Sequence, residues 1–165
     1  VRLEIYYHDP SMEHDTPTTE YYSLQLRMFL MYLKDKYPNI PVTEIVIDSE
    51  ASHFDNRLIT DNIEHTSSKK GAGSVDSGVQ YLQSLFYKGV MYTLDRPSIR
   101  YFLPDGKYQE SEKDEGVLEL EGYRYDKSKS IKEGTNCYVK DKDHSIDAQR
   151  YIIELFKETG RAPVV

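Results

Sequence analysis

Apolar and polar positions along this chain change period several times, and each change marks an element. Residues 2–8 alternate apolar and polar with aromatic and β-branched content, the period of a strand, which Asp9 and Pro10 end. Over residues 18–36 the apolar positions fall at Tyr22, Leu26, Phe29, Leu30 and Leu33, which is helical spacing. Thr18 or Thr19 supplies the N-cap, and Pro38 and Pro41 stop the helix. Residues 44–48 are a short apolar run ending in Asp48, the pattern of a buried central strand. A helix is expected over 51–61. An amphipathic one follows over 74–87, with Val75, Val79, Leu82 and Phe86 inward and Gly89 as its stop. Residues 90–94 read as a further strand, 96–116 as irregular and increasingly acidic, and 117–125 fit strand or helix equally. A basic, serine-rich loop then leads to a closing helix over 142–159, ended by Gly160.

Strands alternating with helices, without repeats or a long linker, predict a single α/β domain across the 165 residues. With 15 Tyr and 5 Phe the chain can close a core, which disordered sequences cannot. Its mean hydropathy is −0.68 and no segment is apolar enough to span a bilayer, so no membrane partner is expected. Cys137 is the lone cysteine, which excludes an intramolecular disulfide and a multi-cysteine zinc site and suits a reducing compartment. The net charge of −7 argues against coating nucleic acid by bulk electrostatics, but not against local phosphate contacts.

Three constellations could carry chemistry. Asp48 stands where a buried strand ends, the place where open α/β sheets bind ligands; Asp48 and Ser49 equally suit the cap of the next helix. His144 and Asp147, three apart at the start of the last helix, share one face, beside an apolar stripe of Ala148, Ile152 and Leu155 expected to face the sheet. Such a pair can chelate a divalent cation or hold a water; its plain alternative is an acid favoured by the helix dipole. Lys69 and Lys70, before Gly71, Ala72 and Gly73, open a helix whose N-terminus favours an anion, although the order is not that of a P-loop. The cations Arg124, Lys127, Lys129, Lys132, Lys140 and Lys142 add a local basic run that leans toward DNA.

Taken in order, four stretches resemble the nuclease domain of tailed-phage terminase large subunits. They are residues 1–10, residues 45–51 with Asp48, residues 69–82 with Lys69 and Lys70, and residues 143–151 with His144 and Asp147. The resemblance implies a ribonuclease H-like fold, a central mixed sheet flanked by helices, and a metal-dependent endonuclease cutting concatemeric viral DNA. Two Mg²⁺ or Mn²⁺ ions would be held by Asp48 and Asp147, with His144 as ligand or water-orienting group and Lys69 and Lys70 on the DNA backbone. The terminase small subunit and the portal protein would be partners, in the host cytoplasm. Residues 1–165 would then be one nuclease domain truncated at its N-terminus. Its first strand, with the family's Gly-x-Asp acid, and the packaging ATPase would both be missing. Losing one carboxylate weakens a two-metal site, so the alternative is a non-catalytic DNA-binding or motor-docking module of the same fold.

Overall fold

Thr18 begins the first helix as the spacing anticipates: its hydroxyl accepts the Tyr21 amide at 3.3 Å, and α1 runs Thr19–Lys36 with Glu20 in its first turn and Lys34 and Lys36 in its last. The computed structural model describes residues 6, 17–68, 74–89, 91–92, 96–134, 136–139 and 144–159. Helices α2 (Ser52–Thr60), α3 (Ser74–Tyr87) and α6 (His144–Thr159) lie within the stretches expected to be helical. Two further helices were not anticipated as such. The ambiguous stretch 117–125 is mostly helix α4 (Glu115–Gly122), whose start Asp114 caps through the Val117 amide. The serine-rich loop contains α5 (Lys127–Glu133), capped by Asp126 and ended by Gly134 in the left-handed region.

The strands are short. β1 (Val46–Ile47) pairs in parallel with β2 (Thr66–Ser67), and β3 (Ile99–Phe102) pairs antiparallel with β4 (Tyr108–Glu110). Tyr6 bridges Ile99 in parallel, which sets the N-terminal segment beside β3. The molecule is therefore mixed α/β, but the described residues form two two-stranded sheets where a single central mixed sheet was expected. Of the expected strands at 2–8 and 90–94, only Tyr6, Met91 and Tyr92 are among the described residues. The supposedly irregular 96–116 holds the β3–β4 hairpin, turned by Asp105 and Gly106, with the Gly106 backbone at φ +86°.

Two packing regions result. In one, Leu82 and Leu85 of α3 meet Ile146 and Ile153 of α6, with Tyr81, Phe86, Met91, Leu120 and Tyr123 around them. This corrects the expected stripe of α6. Ala148 is exposed and Ile152 and Leu155 are half-buried, while Ile146, Arg150 and Ile153 face inward. In the other, α1 crosses α2 and β3. Tyr6, Phe29, Tyr32, Phe102 and Tyr108 form a continuous aromatic layer there, with neighbouring ring centroids between 5.1 and 6.4 Å apart.

Candidate acidic site between strand β1 and helix α6

β1 is pinned on one side by β2, through Thr66 N–H to Ile45 O and Ser68 N–H to Ile47 O, both 2.8 Å. The ladder is extended by a side chain, as the Ser68 hydroxyl accepts the Ser49 amide at 3.2 Å. Asp48 thus leaves the strand in a defined direction. Its Oδ1 accepts the Glu50 amide at 2.9 Å, which closes a turn of the Asx kind. The N-cap of α2 is Ala51, so the capping alternative for Asp48 and Ser49 does not describe this turn.

The second carboxylate comes from α6. The first turn of that helix is anchored by Glu119 of α4, 5 % exposed, whose Oε2 accepts the Ser145 amide at 2.6 Å. An anion at a helix N-terminus satisfies an otherwise orphaned donor and complements the dipole. Asp147 stands in the same turn, and its Oδ1 accepts from Arg150 Nη2 at 2.7 Å. Arg150 is 4 % exposed. Its aliphatic stem crosses α3 at Gly78, where an added Cβ would lie 2.7 Å from Arg150 Cδ and closer still to Cγ. Only a glycine lets the stem lie flat against α3, and the stem's position carries the guanidinium to Asp147.

Tyr151 joins the two acids. Its hydroxyl donates to Asp48 Oδ2 at 2.9 Å, and its ring lies 5.3 Å from the Arg150 guanidinium carbon. Asp147 and Tyr151 are four residues apart and hence one turn apart on one helix face, with Cβ atoms about 5–6 Å apart. Asp48 is therefore bonded to the helix that carries Asp147. His144 is exposed at the start of α6, three residues before Asp147 and on the same face. Lys69 and Lys70, with the glycines after them and Asp143 before His144, lie outside the described residues.

Oxygen donors of this kind match a hard divalent cation such as Mg²⁺ or Mn²⁺. Among the described residues, no group of three or more His, Cys, Asp or Glu side chains is placed to hold a metal ion. The donor chemistry of Asp48 and Asp147 suits a hard cation.

Sequence reasoning found the two acids and missed what arranges them: Arg150, Tyr151, Gly78 and Glu119. The i, i+4 spacing of Asp147 and Tyr151 was the available signal for the tyrosine. Nothing local marks Gly78 or Glu119, whose partners stand on other helices. No family model, no curated protein and no solved structure matches the chain.

Proposed function

We propose that this chain is a metal-dependent endodeoxyribonuclease module with a ribonuclease H-like core, of the kind found in terminase large subunits, acting on double-stranded viral DNA during packaging. The observation that supports the reading is the Tyr151–Asp48 hydrogen bond, because it draws a strand-end carboxylate to the helix face that carries Asp147. Bound Mg²⁺ or Mn²⁺ ions, two in the full site, would lower the pKa of a water and stabilise charge on the leaving oxygen. Asp48 and Asp147 would hold that cation. The Glu50 amide and the Tyr151 hydroxyl fix the Asp48 rotamer, and Arg150 fixes that of Asp147. His144, exposed at the mouth, would orient a water. Lys69 and Lys70 would contact the phosphate backbone. The small terminase subunit, the portal protein and a place in the host cytoplasm belong to the same reading.

The test is nicking of supercoiled plasmid in Mn²⁺. Asp48→Ala and Asp147→Ala should each abolish nicking, and full nicking by both variants overturns the assignment.

A second reading has its own support. Arg150 already pairs with Asp147, and two carboxylates alone make a weak cation site. A non-catalytic DNA-binding or motor-docking module would show DNA binding that is salt-sensitive, indifferent to metal and unchanged in Asp147→Ala, with no nicking by the wild type.

A further inference from the structure

Residues 124–134 and 136–139 fold back on one another as a closed basic projection. Its two ends are joined by Asp126 N–H to Cys137 O at 2.9 Å, by Val139 N–H to Arg124 O at 3.0 Å, and by the Tyr125–Tyr138 bridge. Across the middle, the Ser130 hydroxyl accepts the Cys137 amide at 2.9 Å and lies 3.3 Å from its carbonyl. Such closure orders a segment that would otherwise be a serine-rich loop, and α5 forms inside it.

Charge is sorted within the projection. It holds Arg124, Lys127, Lys129 and Lys132 against Asp126 and Glu133, in a chain whose net charge is −7. Both acids are used internally. Asp126 caps α5 through the Lys129 amide at 2.9 Å, and Glu133 accepts from the Cys137 thiol at 3.3 Å, with Lys129 Nζ 3.9 Å away. All four cations are exposed, and among the described residues Arg124, Lys127 and Lys132 make no ion pair. Tyr125 stands among them, 43 % exposed, with one ring face stacked on Tyr138 at 4.7 Å.

The segment is also docked on α3. Tyr138 lies between the rings of Tyr123 and Tyr125, and its hydroxyl donates to Asp76 Oδ1 at 2.8 Å. Asn136 Nδ2 reaches the same oxygen at 3.1 Å, and Gln80 Nε2 holds Asp76 Oδ2 at 2.8 Å. Burial first, then the Tyr125 and Asp76 contacts, push the Tyr138 hydroxyl well above the ordinary tyrosine range, so it stays a donor.

We infer that the segment from Arg124 to Val139 is a backbone clamp for double-stranded DNA: Arg124, Lys127, Lys129 and Lys132 bind phosphates, and the Tyr138–Asp76 anchor fixes the segment on α3. Polyanion binding by a sorted cluster of cations releases counterions, so it is read in the salt dependence of affinity. The inference rests on DNA being the substrate proposed above, but not on its hydrolysis.

The experiment is fluorescence anisotropy of the full chain with a labelled 30-bp duplex in EDTA, across a series of salt concentrations. The wild type should bind. The variant Lys127→Ala/Lys129→Ala/Lys132→Ala should bind at least tenfold more weakly, with a salt slope shallower by about 2–3, since each phosphate contact contributes about 0.9. A charge-matched variant elsewhere, Lys34→Ala/Lys88→Ala/Lys107→Ala, should bind as the wild type does. Tyr138→Phe keeps the stacked ring and removes the anchor, and should fall between. Equal loss in the two triple variants overturns the clamp, as does wild-type affinity in the first. Failure of the wild type to bind duplex, or a preference for anionic lipid vesicles over DNA, also overturns it. Hydrolysis is read separately: DNA binding through these lysines with no Mn²⁺-dependent nicking leaves the clamp standing and removes the nuclease.

Discussion

Two buried polar devices tie a helix to a strand in this molecule, and they do so to opposite ends. In the α1–β3 region, Gln25 is 2 % exposed and turns its amide onto the backbone of Phe102, accepting its N–H at 2.6 Å and donating to its carbonyl at 3.0 Å. The side chain bonds the backbone as a neighbouring strand would, and both of its polar ends are used. In the β1–α6 region, Asp48 and Asp147 are instead held by side chains, Tyr151 and Arg150, and Asp147 keeps 22 % of its side chain exposed. One device satisfies backbone and leaves nothing for a ligand. The other holds two partly exposed carboxylates. Rigid support beneath a partly open acid is what a functional site requires, and full satisfaction is what a structural joint requires.

The comparison is broken most strongly at its structural end. Gln25→Ala leaves the Phe102 N–H and carbonyl buried and unpaired, at about 1–3 kcal/mol each, and should destabilise the protein by about 2–5 kcal/mol in urea unfolding. Plasmid nicking below the melting temperature should be unchanged; unaltered stability would remove Gln25 from this role. A smaller effect is expected at the β1–α6 end. Gly78→Ala gains up to about 1 kcal/mol of helix propensity but pushes the Arg150 stem off α3, at about 1–3 kcal/mol. Net destabilisation should be about 1 kcal/mol, with Mn²⁺-dependent nicking falling further than stability does. A stabilised and fully active Gly78→Ala would show that Arg150 does not position Asp147.

The smallest effect sits between the regions. His65, 7 % exposed, has Nδ1 2.8 Å from Ile63 O and Nε2 2.8 Å from Asp55 Oδ1, two acceptors that only an imidazolium can satisfy together. The Ile63 carbonyl and then Asp55 raise its pKa above the ordinary histidine value against the opposing effect of burial. Its contribution to stability is therefore full below about pH 6.5 and fades as pH rises through the raised folded value. A ring-proton NMR titration should place His65 above an exposed histidine. His65→Gln should flatten the dependence of the melting temperature between about pH 6 and 8.

The helices with whole apolar stripes, α1, α2, α3 and most of α6, were legible in the sequence, and so was Asp48 at a strand end. The hairpin was not, for a reason visible in its register. A shift between Ile99 and Tyr101 breaks the alternation, so the buried residues Ile99 and Phe102 stand three apart and mimic no strand period. Pro104, Asp105 and Gly106 were its remaining signal. The inward face of α6 was misread because one of its buried positions is Arg150, a residue whose stem packs as an apolar chain while its head pairs with Asp147. α5 was hidden by a composition of Lys and Ser, although Asp126 before it and Gly134 after it mark both ends. The partner of Asp48 was beyond any local pattern.

That partner is 103 residues away, and the separation has a kinetic meaning. A contact so distant in sequence is paid for in loop entropy before it returns anything, so it closes after the local turns and helices have formed. Asp48 can sit at the end of a formed β1–β2 ladder while α6 is still undocked, but the paired acids exist only once Tyr151 has arrived. The acidic patch is thus among the last features of the chain to be assembled, and a nascent or partly folded molecule does not carry it.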